Sequence, residues 1–262
     1  METAIEQLRK LVIEGKESIP NRGVRTFTLL QELTFIENRK QVDYFLAMHR
    51  YVKELTSMPD ALIGPGRRWM TASHVCHALG ITNICLGSIS LTPIDFWGDE
   101  YSDTTMDIEV DEDTYDWAYF KATEVFGYDN VARTSDIDNI QSEEEINTFR
   151  GYRKKQKGYS IVVCPDGVAE HYKVYEVEGD DGLDTLCIDG DVEPTDNIHI
   201  FRFNVIRSDT LTRIKRIQHE IVKAGKVCPD MYHRGSSNIL YYSNGYQTLF
   251  DEEDRSIPFF GD

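Results

Sequence analysis

An acidic stretch with strict alternation, TTMDIEVDE at Thr104 to Glu112, carries the residues best suited to chemistry. The alternation predicts a strand with an apolar face and an acidic face. The apolar face would carry Met106, Ile108 and Val110, and the acidic face Asp107, Glu109 and Asp111. Three carboxylates on one face repel one another unless water solvates them or a divalent cation such as Mg²⁺ binds them. The stretch alone therefore predicts either a solvated acidic face or the metal-binding strand of a phosphoryl- or nucleotidyl-transfer site.

A second candidate site precedes this strand in the chain. DALIG at Asp60 to Gly64 predicts a short strand, the turn GPGRR follows it, and a helix is predicted from Trp69 to Leu79, closed by Gly80. A strand, a turn and a helix in this order place backbone N–H groups where a phosphate could bind, and Arg67 and Arg68 would add positive charge. Because Gly and Pro also form ordinary turns, the spacing leaves both interpretations open.

Three potential metal ligands, His74, Cys76 and His77, lie in the helix predicted after this turn. His74 and His77 would share one helical face, but Cys76 would point elsewhere. No further ligand lies nearby in the sequence to complete a zinc site. We therefore expect structural or surface roles for these residues.

The bulk charge argues against an electrostatic nucleic-acid binder. The chain has 28 Lys and Arg residues against 45 Asp and Glu residues, a formal net charge of −17, which repels a phosphate backbone. Two basic runs, Arg150–Lys157 and Arg213–Arg216, could form a groove for single-stranded nucleic acid or could be solvated surface. We therefore expect nucleic-acid binding to be weak at best.

Cysteine use and hydropathy indicate a cytoplasmic protein. The five cysteines form no CxxC pair, which reduced thiols explain most simply. The amino-terminal helix lacks the apolar run of a signal peptide, and no window approaches the ~18 apolar residues of a membrane span. We therefore expect a cytoplasmic chain with no membrane contact.

Hydrophobic periodicity predicts helices mainly in the first half of the chain and strands in the second. The predicted helices run from about Ile5 to Gly15, Arg25 to Asn38, Gln41 to Thr56, Thr114 to Phe126 and Leu211 to Ala224. Strands are predicted at Val131 to Thr134 and at YSIVVC, YKVYEV, DTLCI and HIFRFNVI, in a largely antiparallel sheet. The polar segment 141–158 would separate residues 1–140, with the turn and the acidic strand, from a β-rich part over 159–262 with the late helix. This pattern predicts the α+β class.

Several separated stretches also occur in the order that one known family shows. ELTFI, DYFLAM, LIGPGR, HALGIT, MDIEVD, GYDNVARTSD, GYSIVVCPDG, RFNVIRSDTLTRI and NGYQTLFDEED resemble motifs of the palm of the bacterial replicative DNA polymerase III alpha subunit, the C family of DNA polymerases. The resemblance covers the chain from about Arg25 onward. It implies a nucleotidyltransferase palm related to polymerase beta, with a mixed β-sheet flanked by helices. The family's long fingers region would be represented only by Ile137 to Gly158, and its phosphoesterase and carboxy-terminal domains find no counterpart.

The resemblance also implies a set of site residues. The catalytic carboxylates would be Asp107, Glu109 and Asp111, with Glu109 and Asp111 as the metal ligands. The third carboxylate of the family falls at Asn204, whose neutral amide is a weaker magnesium ligand. Glu109 is one methylene longer than the family's Asp, in a kind of site that tolerates little misplacement.

The nucleotide-binding residues implied by the resemblance are Gly64, Gly66, Arg67 and Arg202. Where the family has GPGRGS, this chain has GPGRRW, so Arg68 and Trp69 replace a small Gly and Ser. Their bulk is expected to occupy the space of the triphosphate.

These departures lead to an expectation about function. We expect a DNA polymerase III alpha-like palm with degenerate motifs, a pseudoenzyme that acts as a binding or scaffold module for an unidentified protein partner. The alternative is a residual magnesium-dependent nucleotidyltransferase, or DNA-directed DNA polymerase, or a nucleotide-binding protein. Mg²⁺ is the only cofactor that the motifs suggest.

Overall fold

The segments with strand-like alternation form one mixed sheet, and the segments with helical periodicity form helices that flank it. The computed structural model describes residues 2–16, 26–83, 105–135, 158–178, 184–189 and 199–225. The helices within these ranges are α1 (Ala4–Lys16), α2 (Thr26–Asn38), α3 (Val42–Thr56), α4 (His74–Ala78), α5 (Glu112–Phe126) and α6 (Asp209–Lys223). The strands are β1 (Met106–Val110), β2 (Val131–Ser135), β3 (Gly158–Val163), β4 (Tyr175–Glu178), β5 (Asp184–Asp189) and β6 (Phe201–Arg207). Short 3-10 turns occupy Arg68–Ala72, Tyr128–Asn130 and Val168–Glu170.

The six strands form one sheet in the order β1-β6-β3-β2-β5-β4. The β1–β6 and β2–β5 pairs are parallel, whereas β2–β3, β3–β6 and β4–β5 are antiparallel. The sheet is therefore mixed, in agreement with the predicted α+β class, although the expected largely antiparallel sheet did not anticipate two parallel pairs. Strand periodicity identifies strands but not their neighbours. A parallel pair also needs a long crossover, which no local pattern reveals.

The main core lies between one face of the sheet and the helices. Met106, Ile108 and Val110 of β1 are buried in it, as the alternation predicts, together with Phe203 and Val205 of β6. A smaller cluster includes residues of β2, β3 and β5, and in β2 and β3 its side chains alternate with those of the main core. Its buried members are Ala132, Val162, Cys164, Val168 and Ile188.

The two regions predicted on either side of segment 141–158 contribute strands to the same sheet. β1 from the first predicted region pairs directly with β6 from the last, so both regions contribute to one structure. The predicted boundary segment 141–158 lies outside the described residues except for Gly158, which begins β3.

Two predicted elements around the GPGRR turn differ in the structure. The single helix predicted from Trp69 to Leu79 is instead the 3-10 turn Arg68–Ala72 followed by α4. Ser73 separates them because its extended backbone and its hydroxyl, which accepts from the Cys76 N–H, make it the N-cap of α4. The predicted strand at DALIG is reduced to one antiparallel bridge between Ile63 and Val110.

The N-terminus of α4 is held by a buried carboxylate from α2. Glu32 is fully buried and accepts hydrogen bonds from the Ser73 hydroxyl at 2.8 Å, the His74 N–H at 3.0 Å and the Val75 N–H at 3.1 Å. The Nδ1 atom of His74 lies 2.9 Å from the same carboxylate. The positive end of α4 is therefore occupied by a protein anion, and His74 and the fully buried Cys76 lie in the interior.

None of the described helices combines the length and the apolar character needed to cross a membrane.

Replacing Glu32 by Ala should lower the free energy of unfolding by about 3 kcal/mol or more, because the substitution leaves buried donors without an acceptor. Glu37, on the same helix, is a matched control because its exposed carboxylate pairs with exposed Arg9 at 3.0 Å. Glu37→Ala should cost at most about 1 kcal/mol. Urea unfolding of both variants measures the difference, and equal losses would contradict the structural role of Glu32.

Candidate active site

Strand register places three polar side chains in a line across the sheet. Asp107 of β1 lies beside Asn204 of β6, and Asn204 lies beside Ser160 of β3. These three residues, the polar row, project on the face opposite the main core, because their sequence neighbours are buried in that core. Those neighbours are Met106, Ile108, Ile161, Phe203 and Val205. The structure therefore joins the acidic strand to the position that the resemblance assigns to the third carboxylate.

The hydrogen bonds of the polar row fix the orientation of the Asn204 amide. The Ser160 hydroxyl donates to Asn204 Oδ1 at 2.5 Å, and Asn204 Nδ2 donates to Asp107 Oδ1 at 2.7 Å. The amide oxygen therefore faces Ser160, and the amide N–H group faces the carboxylate. A cation shared by Asp107 and Asn204 would need the opposite orientation, with the amide oxygen beside the carboxylate.

The second oxygen of Asp107 is engaged by an arginine from the turn. Arg68 Nε lies 3.1 Å from Asp107 Oδ2. The Asp107 side chain is 2% exposed and that of Arg68 is 65% exposed, so the guanidinium covers a buried carboxylate from the solvent side. Both oxygens of Asp107 thus face N–H donors supplied by the protein.

The two glycines of the turn lie close to other parts of the backbone and side chains, Gly64 against β1 and Gly66 against Thr82. The Gly64 N–H donates to the Glu109 carbonyl at 2.7 Å, and a Cβ atom on Gly64 would lie only 2.8 Å from the Glu109 Cβ. Gly66 has φ +119°, which favours glycine, and a Cβ there would meet Thr82 Cγ2 at 2.7 Å. Two of the residues predicted to bind nucleotide therefore have a structural reason to be glycine.

Arg67 and Arg202, the other predicted nucleotide-binding residues, lie on either side of the polar row. Arg67 Nη1 is 3.5 Å from Glu109 Oε1, with both side chains partly exposed. Arg202 lies two residues before Asn204 on β6 and therefore on the same face. Its carbonyl accepts from Tyr44 Oη at 3.0 Å, and the same phenol oxygen accepts from the Met106 N–H at 2.9 Å.

The two residues that replace the family's small Gly and Ser point in different directions. Arg68 extends towards Asp107, as described above. Trp69 is 4% exposed and packs in the main core, with its ring centroid 6.2 Å from that of Phe45. The expectation that Trp69 occupies the triphosphate space is therefore wrong, because a large apolar ring is more stable in the core than in a charged turn.

Asp111, predicted as a catalytic residue and metal ligand, is separated from the acidic face by the end of β1. It is the fully buried N-cap of α5, and its carboxylate accepts from the Leu62 N–H at 2.8 Å and the Thr114 hydroxyl at 2.6 Å. Lys215 Nζ, from α6, lies 2.8 Å from Asp111 Oδ1. These surroundings favour a structural role for Asp111 and argue against its role as a metal ligand.

Asp111 and Lys215 each stabilise the charged form of the other. Burial opposes ionisation of Asp111, but hydrogen bonds from Lys215, Thr114 and the Leu62 N–H outweigh it and hold the pKa of Asp111 below its ordinary value. Burial likewise tends to lower the pKa of Lys215, yet Asp111 and Asp113 raise it overall. The pair is thus a buried ion pair that ties α6 to the start of α5.

Two residues of these networks carried only a faint signal in the sequence. Ser160 is a polar residue inside the apolar run YSIVV, and Lys215 lies four residues after the buried Leu211, on the apolar side of α6. A polar residue at a position that should be buried indicates a partner. The pattern cannot name that partner, because the partners are distant in sequence.

The residues present do not fit a magnesium ion as they are arranged. Magnesium prefers oxygen ligands in near-octahedral geometry. In the described part of the chain, no three His, Cys, Asp or Glu side chains converge on a point that could hold a metal ion. The oxygens of Asp107 face N–H groups of Asn204 and Arg68, and the Asn204 oxygen faces a hydroxyl.

Comparison with known proteins identifies the family. A family model of the bacterial DNA polymerase III alpha NTPase domain matches residues 5–159, more than half of the 262 residues. The chain belongs to this family. The match to the DNA polymerase III alpha NTPase domain includes the turn and β1, and it confirms the resemblance found in the motifs. Asn204 and Lys215 lie beyond the matched residues.

Two curated DNA polymerases resemble part of this DNA polymerase III alpha-type chain. They are error-prone DNA polymerase 1 of Rhizobium meliloti (strain 1021) and error-prone DNA polymerase of Sinorhizobium medicae (strain WSM419). Each is 36% identical over 88 residues, a stretch that covers 32% of this chain and 8% of the relative.

Asp111→Asn tests the buried ion pair, because Asn keeps the helix cap but removes the charge. Since the folded-state pKa lies below the ordinary value of 3.8, the stabilisation is present above that value and lost as the pH falls through the folded-state pKa. We expect a loss of about 3 kcal/mol at neutral pH that shrinks below about pH 4.

Urea unfolding between neutral and acidic pH measures this difference. Asp113→Asn is the matched control, because Asp113 contacts the same Lys215 at 2.8 Å but its side chain is 74% exposed. The control should cost under about 1 kcal/mol. A loss for Asp111→Asn that does not change with pH would contradict the pKa argument.

Proposed function

We propose that this DNA polymerase III alpha NTPase-type domain acts as a binding or scaffold module and not as a polymerase. The orientation of the Asn204 amide, with its N–H group towards Asp107, is the observation that carries the proposal. The palm architecture related to polymerase beta and a cytoplasmic location are part of the same proposal. The architecture rests on the family match and on the motifs, and the location rests on the five cysteines, which form no CxxC pair.

Nucleotidyl transfer through metal ions requires anionic oxygens that converge on the metals. Here a neutral amide stands opposite Asp107 in the strand register and donates to it. Loss of one component of a preorganised electrostatic site commonly reduces turnover by about a hundredfold or more. The engagement of Asp107 by Arg68 is a second defect of the same kind.

The charge of the chain favours a protein partner over nucleic acid. The formal net charge is −17, which opposes binding to a phosphate backbone. One of the two basic runs, Arg213–Arg216, lies on α6, where Arg216 pairs with Glu112 at 3.2 Å and Lys215 is committed to Asp111. The other run, Arg150–Lys157, lies outside the described residues.

A residual magnesium-dependent nucleotidyltransferase is the second candidate. It is supported by Glu109, whose side chain is 25% exposed and whose contact with Arg67 is long, at 3.5 Å. This carboxylate is the most accessible of the three on the predicted acidic face. The candidate requires a nucleotide to draw both arginines away from β1 and so release Asp107 and Glu109.

Primer extension separates the two candidates. With Mg²⁺ or Mn²⁺ and all four deoxynucleoside triphosphates, the wild-type chain should extend a primed template no faster than Asp107→Asn, because Asn204 replaces the third carboxylate and N–H groups engage both oxygens of Asp107. Glu37→Ala, a change on the exposed side of α2, controls for preparation. Extension by the wild type and Glu37→Ala, lost in Asp107→Asn, would refute the proposed function and establish the second candidate.

A further inference from the structure

Two consecutive arginines of the turn reach two alternate carboxylates of β1. Arg68 contacts Asp107 at 3.1 Å, and Arg67 contacts Glu109 at 3.5 Å. Residues two apart on a strand share a face, so the paired guanidinium groups lie over the acidic face of β1. The formal charges of this group of four side chains sum to zero without any external ion.

The Arg68–Asp107 contact is the stronger of the two, because it is shorter and its carboxylate is buried. Asp107 is 2% exposed, and a buried carboxylate needs both hydrogen-bond donors and a compensating charge. Asn204 supplies a neutral donor to one oxygen, and Arg68 supplies the charge at the other. Among the described residues, no other cationic side chain lies within ion-pair distance of Asp107.

The backbone of Arg68 has a conformation with an energetic cost. Its φ is +48°, in the left-handed region that a residue with a side chain enters only at a penalty. Glycine would adopt this conformation freely. An arginine held in such a conformation, with its side chain directed at a buried carboxylate, is consistent with an ion pair that outweighs the local strain.

We infer that Arg68 is the resident counter-cation of Asp107 and keeps the acidic face of β1 closed to divalent cations. The inference rests on the proposed function and adds a physical cause to it. A divalent cation approaching Asp107 would have to displace a guanidinium that is covalently part of the protein, and the two positive charges would repel each other. Removal of the guanidinium should therefore open the site.

Thermal unfolding with and without divalent cations tests this inference on the full chain. Arg68→Gly removes the guanidinium and fits the positive φ, whereas Arg68→Gln removes the charge but keeps much of the side chain. Arg9→Gln is the matched control, because Arg9 also forms an exposed ion pair, with Glu37 at 3.0 Å, but far from the turn in sequence. Sodium chloride at equal ionic strength separates specific binding from screening.

We expect Mg²⁺ to change the Tm of the wild type and of Arg9→Gln no more than sodium chloride does. Both Arg68 variants should gain a saturable Mg²⁺-dependent rise, about 3 °C at a concentration ten times their Kd. If one Arg68 variant does not fold, the other gives the result.

Two outcomes overturn the inference. One is a saturable Mg²⁺ response of the wild type equal to that of the Arg68 variants, and the other is the absence of a response in every folded variant. Neither outcome by itself refutes the proposed function, which primer extension by the wild type, lost in Asp107→Asn, would refute. Thermal unfolding with Mg²⁺ thus tests the role of Arg68, and primer extension tests the proposed function separately.

Discussion

Burial of the Asp107 carboxylate is the constraint on which the candidate site depends. An acidic side chain that is 2% exposed needs donors around it, and three separate parts of the chain provide or orient them. β6 supplies the Asn204 amide, β3 orients that amide through Ser160, and the turn supplies Arg68. The environment of this one carboxylate thus depends both on the parallel pairing of β1 with β6 and on the close approach of the turn to β1.

The same solution recurs at the other charged positions near this site. Glu32 accepts hydrogen bonds at the N-terminus of α4, and Lys215 neutralises Asp111 at the start of α5. At each place the protein provides the opposite charge or the hydrogen-bond partner itself. A side chain that supplies the opposite charge is held in place by the fold, whereas a bound ion could dissociate. Fully satisfied buried networks of this kind make the structure rigid.

Local patterns predicted the elements of this fold better than the partners of its polar residues. The periodicity of the helices and the alternation in β1 were sufficient because they depend on neighbours in sequence. The alternation also suggested that Asp111 continues the acidic face, but Asp111 caps α5 instead, since a helix begins immediately after it. The roles of Ser160, Lys215 and Glu32 depend on residues up to 104 positions away, so no local pattern could assign them.

The left-handed backbone at Arg68 bears on how this site could evolve by mutation. At that position the backbone has a conformation that glycine adopts freely, although the residue is an arginine, and the motif GPGRGS that the turn resembles has a glycine there. Codons for glycine and arginine can differ by a single base. A single base change is therefore enough to remove or restore the cation that covers the acidic strand, at a position whose backbone conformation suits glycine.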